Sequence, residues 1–480
     1  MFLFFNMFAP VYKKELKTQL RLFLPFLIAQ MSSTAMSTVD TIMAGLAGTI
    51  DLSGVAIACS FYWPAYMFLA GVAYGVAPTV SHLLATKNIR FMQQSLFNAM
   101  VIITILGFIT AVILSLSHLV FRFVPSDPMM IEVATNYLYF VSIALPATAI
   151  YNGYISYAEG LSITKPALYL GLLQLVLDIP LNYIFIFGKF GMPALGGAGC
   201  GLTSGLINIF TCICLVIYIV KSKNIGQYRV HKNVRILDME IIKQFLKLAM
   251  PLGISRTVEV AGFSLAAVIL SPFGPTVVAS HSITLNVSSL IYMIPLCLGL
   301  TATIRTASAM GIKNWDKAVV VCKVIMTLNM ACLIVYLSVI LLLKDKIAAL
   351  YSNDPKVLAV TSFLMVLNCI YMLPDSIQCV LGGILQGFKD SKIILINTVL
   401  SFWCIGLPLG YVLSWGIIGE RLEASGIWIG FICALTFSAI FFTSRTFYIL
   451  KYRKAPKLLL LNYELDKKKA LDQSHTDSER

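Results

Sequence analysis

Twelve apolar runs of about 20 residues or more follow one another between residues 22 and 450. A run of that length crosses the hydrocarbon core of a bilayer as one α-helix. The runs lie near 22–46, 52–80, 92–120, 132–158, 163–187 and 198–221. After a polar stretch come 241–270, 278–306, 318–343, 357–385, 391–416 and 424–450. They are continuous, which excludes a transmembrane β-barrel, whose strands alternate at every second residue. Only 12% of the residues are charged, about half the share of a soluble globular protein. The expected fold class is therefore an all-α integral membrane protein with twelve transmembrane helices.

The net charge of +14 is distributed topologically. Lys13, Lys14, Lys17 and Arg21 precede the first run. Lys87, Arg90, Lys165, Lys221, Lys223, Arg229, Lys232, Arg235, Lys313, Lys317, Lys389 and Lys392 fall in every second loop. Arg453, Lys454, Lys457 and Lys467 to Lys469 follow the last run. The intervening loops hold only Arg122, Lys189, Lys344, Lys346, Lys356 and Arg421. Positive residues stay on the cytoplasmic side, so both termini are expected there, and no nucleic-acid partner is needed to explain the charge. The opening MFLFFNMFAP lacks a basic leader and reads as an interfacial segment. The tail beyond about residue 452 reads as polar and disordered at its end.

The chain also repeats itself. VPSDP (124–128) returns as YSNDP (351–355), and EGLSITK (159–165) as QGFKDSK (386–392). PLNY (180–183) returns as PLGY (408–411), and Leu24-Pro25 as Met250-Pro251, always 226–228 residues on. Six runs per half is an even number, so the halves share one orientation. Two six-helix bundles related by a parallel internal repeat are expected, an arrangement typical of secondary transporters. The domain reading is a cytoplasmic segment 1–21, a first lobe 22–221, an inter-lobe loop 222–240, a second lobe 241–450 and a tail 451–480.

Acids inside these runs carry the chemistry, because a carboxylate at membrane depth is expensive and faces a bundle interior or a watery cavity. Asp40 lies on the first run. Asp178 lies on the fifth, with Asn182 four residues on and so on the same face. Glu259 lies on the seventh and Asp375 on the tenth, with Tyr371 one turn before it. Such groups can carry a proton across the membrane or hold a hard cation through oxygen ligands. One acid could pair with a neighbouring helix for structure alone; four, divided evenly between the repeats, call for a function. Arg256, three residues before Glu259, is close enough to modulate that site. Glu159 and Glu240 lie near run ends and read as wetted. Pro25 shares its helix with Asp40 and is the favoured hinge. Tyr62, Trp63, Tyr139, Phe140, Tyr292 and Met293 are candidates to line a cavity for flat cations. Asn286, in a sequon that falls within a span, joins them.

Catalytic chemistry is not indicated. There is no HExxH, GxxxxGK[ST] or GxSxG, and the eleven cysteines form no CxxC. Neither a resident metal nor a cofactor is expected. GGAGCGLTSG (196–205) misses the GxGxxG spacing and reads as a loop entering a packed helix.

Four stretches resemble the multidrug and toxic compound extrusion (MATE) family, in its bacterial NorM-type branch. They are VDTIMAGLAGTIDLSGVAIACSFYWP (39–64), IPLNYIFIFGKFGMPALGGAGCG (179–201), PFGPTVVASHSITLNVSSLIYMIP (272–295) and LPDSIQCVLGGILQGFKDSK (373–392). The resemblance implies two bundles around a cleft that opens to alternate sides of a bacterial inner membrane. It implies export of cationic amphipathic drugs, with Na⁺ or H⁺ as the exchanged ion. Asp40, Asp178 and Asn182 match the family's first-lobe cation or proton site. Glu259, Tyr371 and Asp375 match its second-lobe cation site. Asp178 departs from the family pattern, which has Asn there, and Arg256 is foreign to it. The expected partners are small organic cations, the coupling cation and membrane lipid, with the chain working as a monomer. A lipid-linked precursor flippase of the same superfamily is the alternative, and it calls for a more cationic cavity.

Overall fold

The computed structural model describes residues 10–121, 127–222, 225–228, 237–351 and 354–478. The opening segment before residue 10, Arg122, the loop cations Lys223, Arg229, Lys232 and Arg235, and parts of the 124–128 and 351–355 anchors lie outside the described residues. Among the described residues there is no strand, and twelve helices are long and apolar enough to cross a membrane. In the first half these are α1 (Pro10–Ala47), α2 (Thr49–Ala85), α3 (Ile89–Phe121), α4 (Pro128–Gly160), α5 (Lys165–Phe187) and α6 (Ala198–Lys221). In the second they are α7 (Met239–Phe273), α8 (Pro275–Gly311), α9 (Trp315–Tyr351), α10 (Pro355–Gly387), α11 (Ser391–Trp415) and α12 (Ala424–Tyr452). A thirteenth helix, α13, spans Lys457–Ser478.

The repeated Asp-Pro pair turns out to be a helix start. The Asp127 carboxylate accepts the Met129 N–H at 2.8 Å, and Asp354 accepts that of Lys356 at 2.9 Å. A proline follows each Asp, at the first helical position, where its missing N–H costs nothing.

The helices form two compact units. The first-half unit holds Leu24 to Thr257 and the chain from Asn462. The second-half unit holds Val258 to Leu461 and the chain up to Phe23. Each passage between units falls inside a helix: α1, α7 and α13. The start of α1 is secured within the second-half unit, where Arg305 donates to both Glu15 oxygens at 2.8 and 2.6 Å. Gln19 donates to the Val321 carbonyl at 3.2 Å. The segment expected to be cytoplasmic at 1–21 is, from Pro10, helical and continuous with the first membrane-length helix.

The tail expected to be disordered at its end is helical to Ser478. Its leucines explain this, since Leu459 and Leu465 are buried. In the first-half unit Asp466 meets His82 at 2.9 Å and Lys469 meets Asp238 at 2.6 Å. Burial works against the Asp238 charge, but Lys469 and the N–H groups of Glu240 and Ile241 outweigh it and hold its carboxyl below the usual range.

Lateral packing rests on small residues, as helices in lipid require. A Cβ on Gly199 would stand 2.9 Å from the Phe185 carbonyl, and one on Gly201 2.7 Å from that of Tyr137. The glycine-rich stretch is thus the face that α6 presses against its neighbours. In the second-half unit a Cβ on Gly383 collides with the backbone of Gly299, whereas one on adjacent Gly382 meets only Phe442, at 3.5 Å. Gly383→Ala should therefore lower stability by about 1–3 kcal/mol, the usual cost of overpacking. Gly382→Ala should be neutral or gain up to about 1 kcal/mol from helix propensity. Thermal unfolding of the two purified variants in detergent checks the pair.

Candidate functional site

In the first-half unit the site is built where α1, α5 and α6 meet. Asp40 projects from α1. Asn182 on α5 donates its amide to one Asp40 oxygen at 2.6 Å, and the Ser204 hydroxyl on α6 donates to the other at 3.3 Å. Cys200, one turn before Ser204, points its thiol at the Asp40 backbone carbonyl, 3.6 Å away. The four-residue spacing places Asp178 on the same face as Asn182, and its carboxyl lies against both Asn182 and Asp40. Asp178 and Asn182 are both 0% exposed. Neither oxygen of Asp178, nor the amide oxygen of Asn182, has a hydrogen-bond partner among the described residues.

This arrangement restricts charge sharply. The membrane stretches of α1 from Leu24, α5 from Pro166 and α6 before Lys221 contain no Lys, Arg or His. Two adjacent carboxylates, one half-buried and one fully buried, repel each other when both are ionised. A proton or a small cation would relieve that conflict. The site's unpartnered atoms are all oxygens, the donor set that hard cations favour. Among the described residues no group of three or more His, Cys, Asp or Glu could hold a metal ion.

The second-half acids sit in a different setting. Asp375 and Tyr371 are buried one turn apart on α10. Gln378 reaches Asp375 at 3.5 Å, and its own carbonyl accepts from Ser438 at 3.3 Å. Asn397 in turn donates to Ser438 at 2.5 Å. The acid is thus backed by a polar chain through α10, α12 and α11. Glu259, half-buried on α7, lies within electrostatic reach of Tyr371. Arg256 is half-buried and stands one residue before the end of the share of α7 that belongs to the first-half unit.

The seven cavity candidates are divided between the units. Tyr62 is buried and packs with Trp63, Tyr66 and Tyr137 at ring separations of 5.7, 5.8 and 6.5 Å. Tyr139 is exposed, with Phe140 beside it. Asn286 is exposed and accepts from the Tyr351 hydroxyl at 2.9 Å. Tyr292 and Met293 are half-buried, and Tyr292 meets the Cys379 thiol at 3.7 Å. Pro25 lies inside α1, two residues past the passage between units at Phe23.

One sequence reading needs correction. Glu240 is exposed as expected and pairs with Lys468 at 3.2 Å. Glu159 is not wetted: it is 6% exposed. The glycine that follows it lets α4 approach the Ala77 carbonyl and Val80 of α2, which roofs the helix end. Ser204, Gln378, Ser438 and Asn397 went unread, although a serine one turn from Cys200 in a glycine-faced helix was a usable signal for the first of them.

The unpartnered Asp178 yields a stability prediction. Asp178→Asn keeps the shape, removes one acid and offers Asp40 an amide donor. In buffer without Na⁺ near neutral pH it should stabilise the protein by about 1–3 kcal/mol, the cost of a buried unsatisfied group. Differential scanning fluorimetry reads this as a raised Tm; an unchanged or lowered Tm would show that Asp178 is already satisfied.

Comparison with known proteins identifies the family of the chain. The MatE family model matches residues 25–184 and again 251–412, a displacement equal to that of the sequence repeat. The multidrug resistance protein NorM of Vibrio cholerae serotype O1 is 33% identical over 445 residues, covering 92% of this chain and 97% of that protein. The multidrug resistance protein MdtK of Yersinia enterocolitica serotype O:8 is 34% identical over 450 residues, covering 92% and 98%. Among solved structures, the eukaryotic MATE transporter AtDTX14 superposes with a TM-score of 0.84 at 17% identity, covering 95% of this chain and 99% of that one.

Proposed function

The chain belongs to the MATE family, in its NorM-type branch, and from that premise we propose that it is a secondary antiporter. In this reading it exports cationic amphipathic drugs or other toxic organic cations by alternating access, in exchange for Na⁺ or H⁺. The relatives named as multidrug resistance proteins support the cargo. The twelve apolar helices make it a multi-pass membrane protein. The positive-loop pattern supports a bacterial inner membrane with both termini cytoplasmic.

The contact of Asp40 with Asn182, Ser204 and unpartnered Asp178 carries the coupling proposal. The ion or proton enters from outside and binds there. Neutralising the pair removes a charge conflict at membrane depth and shifts the balance between two arrangements of α1, which bends at Pro25. Cargo leaves outward, and the ion is then discharged inward. A unit charge descending a potential of about 100 mV yields about 2.3 kcal/mol, and a monovalent cationic cargo leaving costs the same, so one-for-one exchange draws on the concentration gradient of the ion and a second inward charge is needed to draw on the potential. Glu259, Tyr371 and Asp375 form a second acidic site that takes part in the same exchange.

The flippase alternative calls for a strongly cationic cavity. Among the described residues Arg256 is the basic residue nearest the middle of a span, whereas Arg305, Lys323 and Arg445 lie within three turns of a helix end, and this supports organic cations as cargo.

Asp40→Asn should abolish gradient-driven export of ethidium from liposomes holding the purified protein, while the variant still inserts and unfolds at a similar temperature. Na⁺ and pH gradients, imposed separately with the potential clamped, identify the ion. Full gradient-driven transport by Asp40→Asn would sink the coupling assignment. Movement under neither gradient would favour lipid-linked cargo.

A further inference from the structure

Helix α10 carries polar groups that the exchange scheme leaves unexplained. Thr361, Asn368 and Asp375 are seven residues apart, so they share one face, each about 10 Å from the next. Their exposures are 0%, 0% and 3%. The Thr361 hydroxyl and both amide atoms of Asn368 have no hydrogen-bond partner among the described residues. Two side chains from neighbouring helices share the pattern. His281 on α8 and Trp428 on α12 are both 0% exposed, and both imidazole nitrogens and the indole N–H lack partners among the described residues.

These groups belong to one place. The Trp428 ring lies 6.0 Å from His281 and 5.3 Å from Tyr371, and Tyr371 is one turn from both Asn368 and Asp375. Ser280 donates to the Val357 carbonyl at 3.3 Å, which sets His281 level with the first turns of α10, near Thr361. The set therefore runs from the end where α8, α10 and α12 begin to the acid in mid-helix.

Packing does not require this polarity, and the repeat supplies the control. Helices α4 and α10 both have 33 residues, a capping Asp, an initial Pro and a final Gly. Aligned end to end, Thr361 falls on Ala134 and Asn368 on Val141, both buried. Asp375 falls on Thr148, which bonds the Ala144 carbonyl of its own helix at 3.0 Å. The positions of Thr361 and Asn368 are thus filled with hydrocarbon in the other copy. Buried polar atoms without partners are costly, and where they recur in a line they are normally met by ordered water.

We infer that Thr361, Asn368, His281 and Trp428 line a chain of water molecules that carries protons between the outer face and Asp375. The outer face is the end where α8, α10 and α12 begin in the topology proposed above. Hydroxyl, amide and imidazole groups both donate and accept, as water in a chain must. The indole N–H only donates, which suits water and opposes a metal cation. A proton reaching Asp375 converts its carboxylate to the acid, with no other bond changed. The inference rests on the antiport reading in one respect, that Asp375 exchanges an ion.

The test replaces polarity while keeping size. Asn368→Leu should slow pH-gradient-driven ethidium export at least tenfold without lowering Tm. Asn368→Ser, which leaves room and polarity for water, should recover most of the rate. Thr361→Val should slow export about threefold and serves if the leucine variant does not fold. Wild-type rates in both apolar variants, or equal loss in Asn368→Ser and Asn368→Leu, would overturn the inference. So would export driven by Na⁺ alone, which would leave the antiport reading intact. The chain is also read without transport. The infrared carboxyl band assigned to Asp375 by its loss in Asp375→Asn should exchange with D₂O at least tenfold more slowly in Asn368→Leu than in wild type. Equal exchange would overturn the chain, whereas failure of the Asp40→Asn experiment bears only on the coupling site.

Discussion

The first-half site depends on how the half-buried Asp40 carboxylate is met by its neighbours. Its two oxygens are met by an amide and a hydroxyl from two different helices. Such bonds relieve part of the desolvation cost of a charge, though not the whole of it. Asp178, placed against the same group, makes the site deliberately incomplete. An isolated carboxylate with two donors would be a structural feature. Two acids with fewer donors than oxygens form a site whose energy depends on whether a small positive species is present. In the antiport proposed above, that dependence would convert an ion gradient into a preference between conformations.

A preference at Asp40 matters only if the helix that carries it transmits force. Helix α1 is continuous from Pro10 to Ala47, yet its start is secured in one unit by the two bonds from Arg305 to Glu15, and its later part belongs to the other. The passage falls at Phe23–Leu24, beside Pro25. A proline removes one backbone bond and weakens the helix locally. In the proposed exchange, Pro25 is the compliant point between a secured start and the end that carries Asp40. Close glycine contacts within each unit, such as Gly383 on Gly299, give the opposite property, since units packed backbone to backbone move as bodies.

The spans, the repeat and the acids were legible in the sequence because each violates chance strongly. Twelve long apolar runs have one physical explanation, and a carboxylate inside one is costly enough to stand out. The partners were harder to read. Serine and threonine are common in membrane helices and usually bond their own backbone, as Thr211 does to the Ile207 carbonyl at 2.8 Å. Nothing in the residue type separates Ser204 from that background. Glu159 was misplaced because hydropathy locates a helix end without showing whether a neighbour covers it. The tail was misread because its many charged and polar residues mask its leucines in composition, whereas two buried leucines, Leu459 and Leu465, accompany a docked helix.

The two halves share a fold and differ in how they treat charge. In the first, the acids face each other from α1 and α5, while the buried face of α4 is hydrocarbon at Ala134 and Val141. In the second, the buried acid sits on α10 itself, and the same helical positions are polar. A duplicated fold needs both copies to pack, so any position where one copy accepts alanine or valine is free of structural demand for a polar atom. Polarity kept in the other copy, buried and without protein partners, must then be supported by something other than packing. The repeat thus separates residues that the architecture requires from residues that its chemistry requires. By that comparison Thr361 and Asn368 fall in the second group, although residue type alone would have placed them in the first.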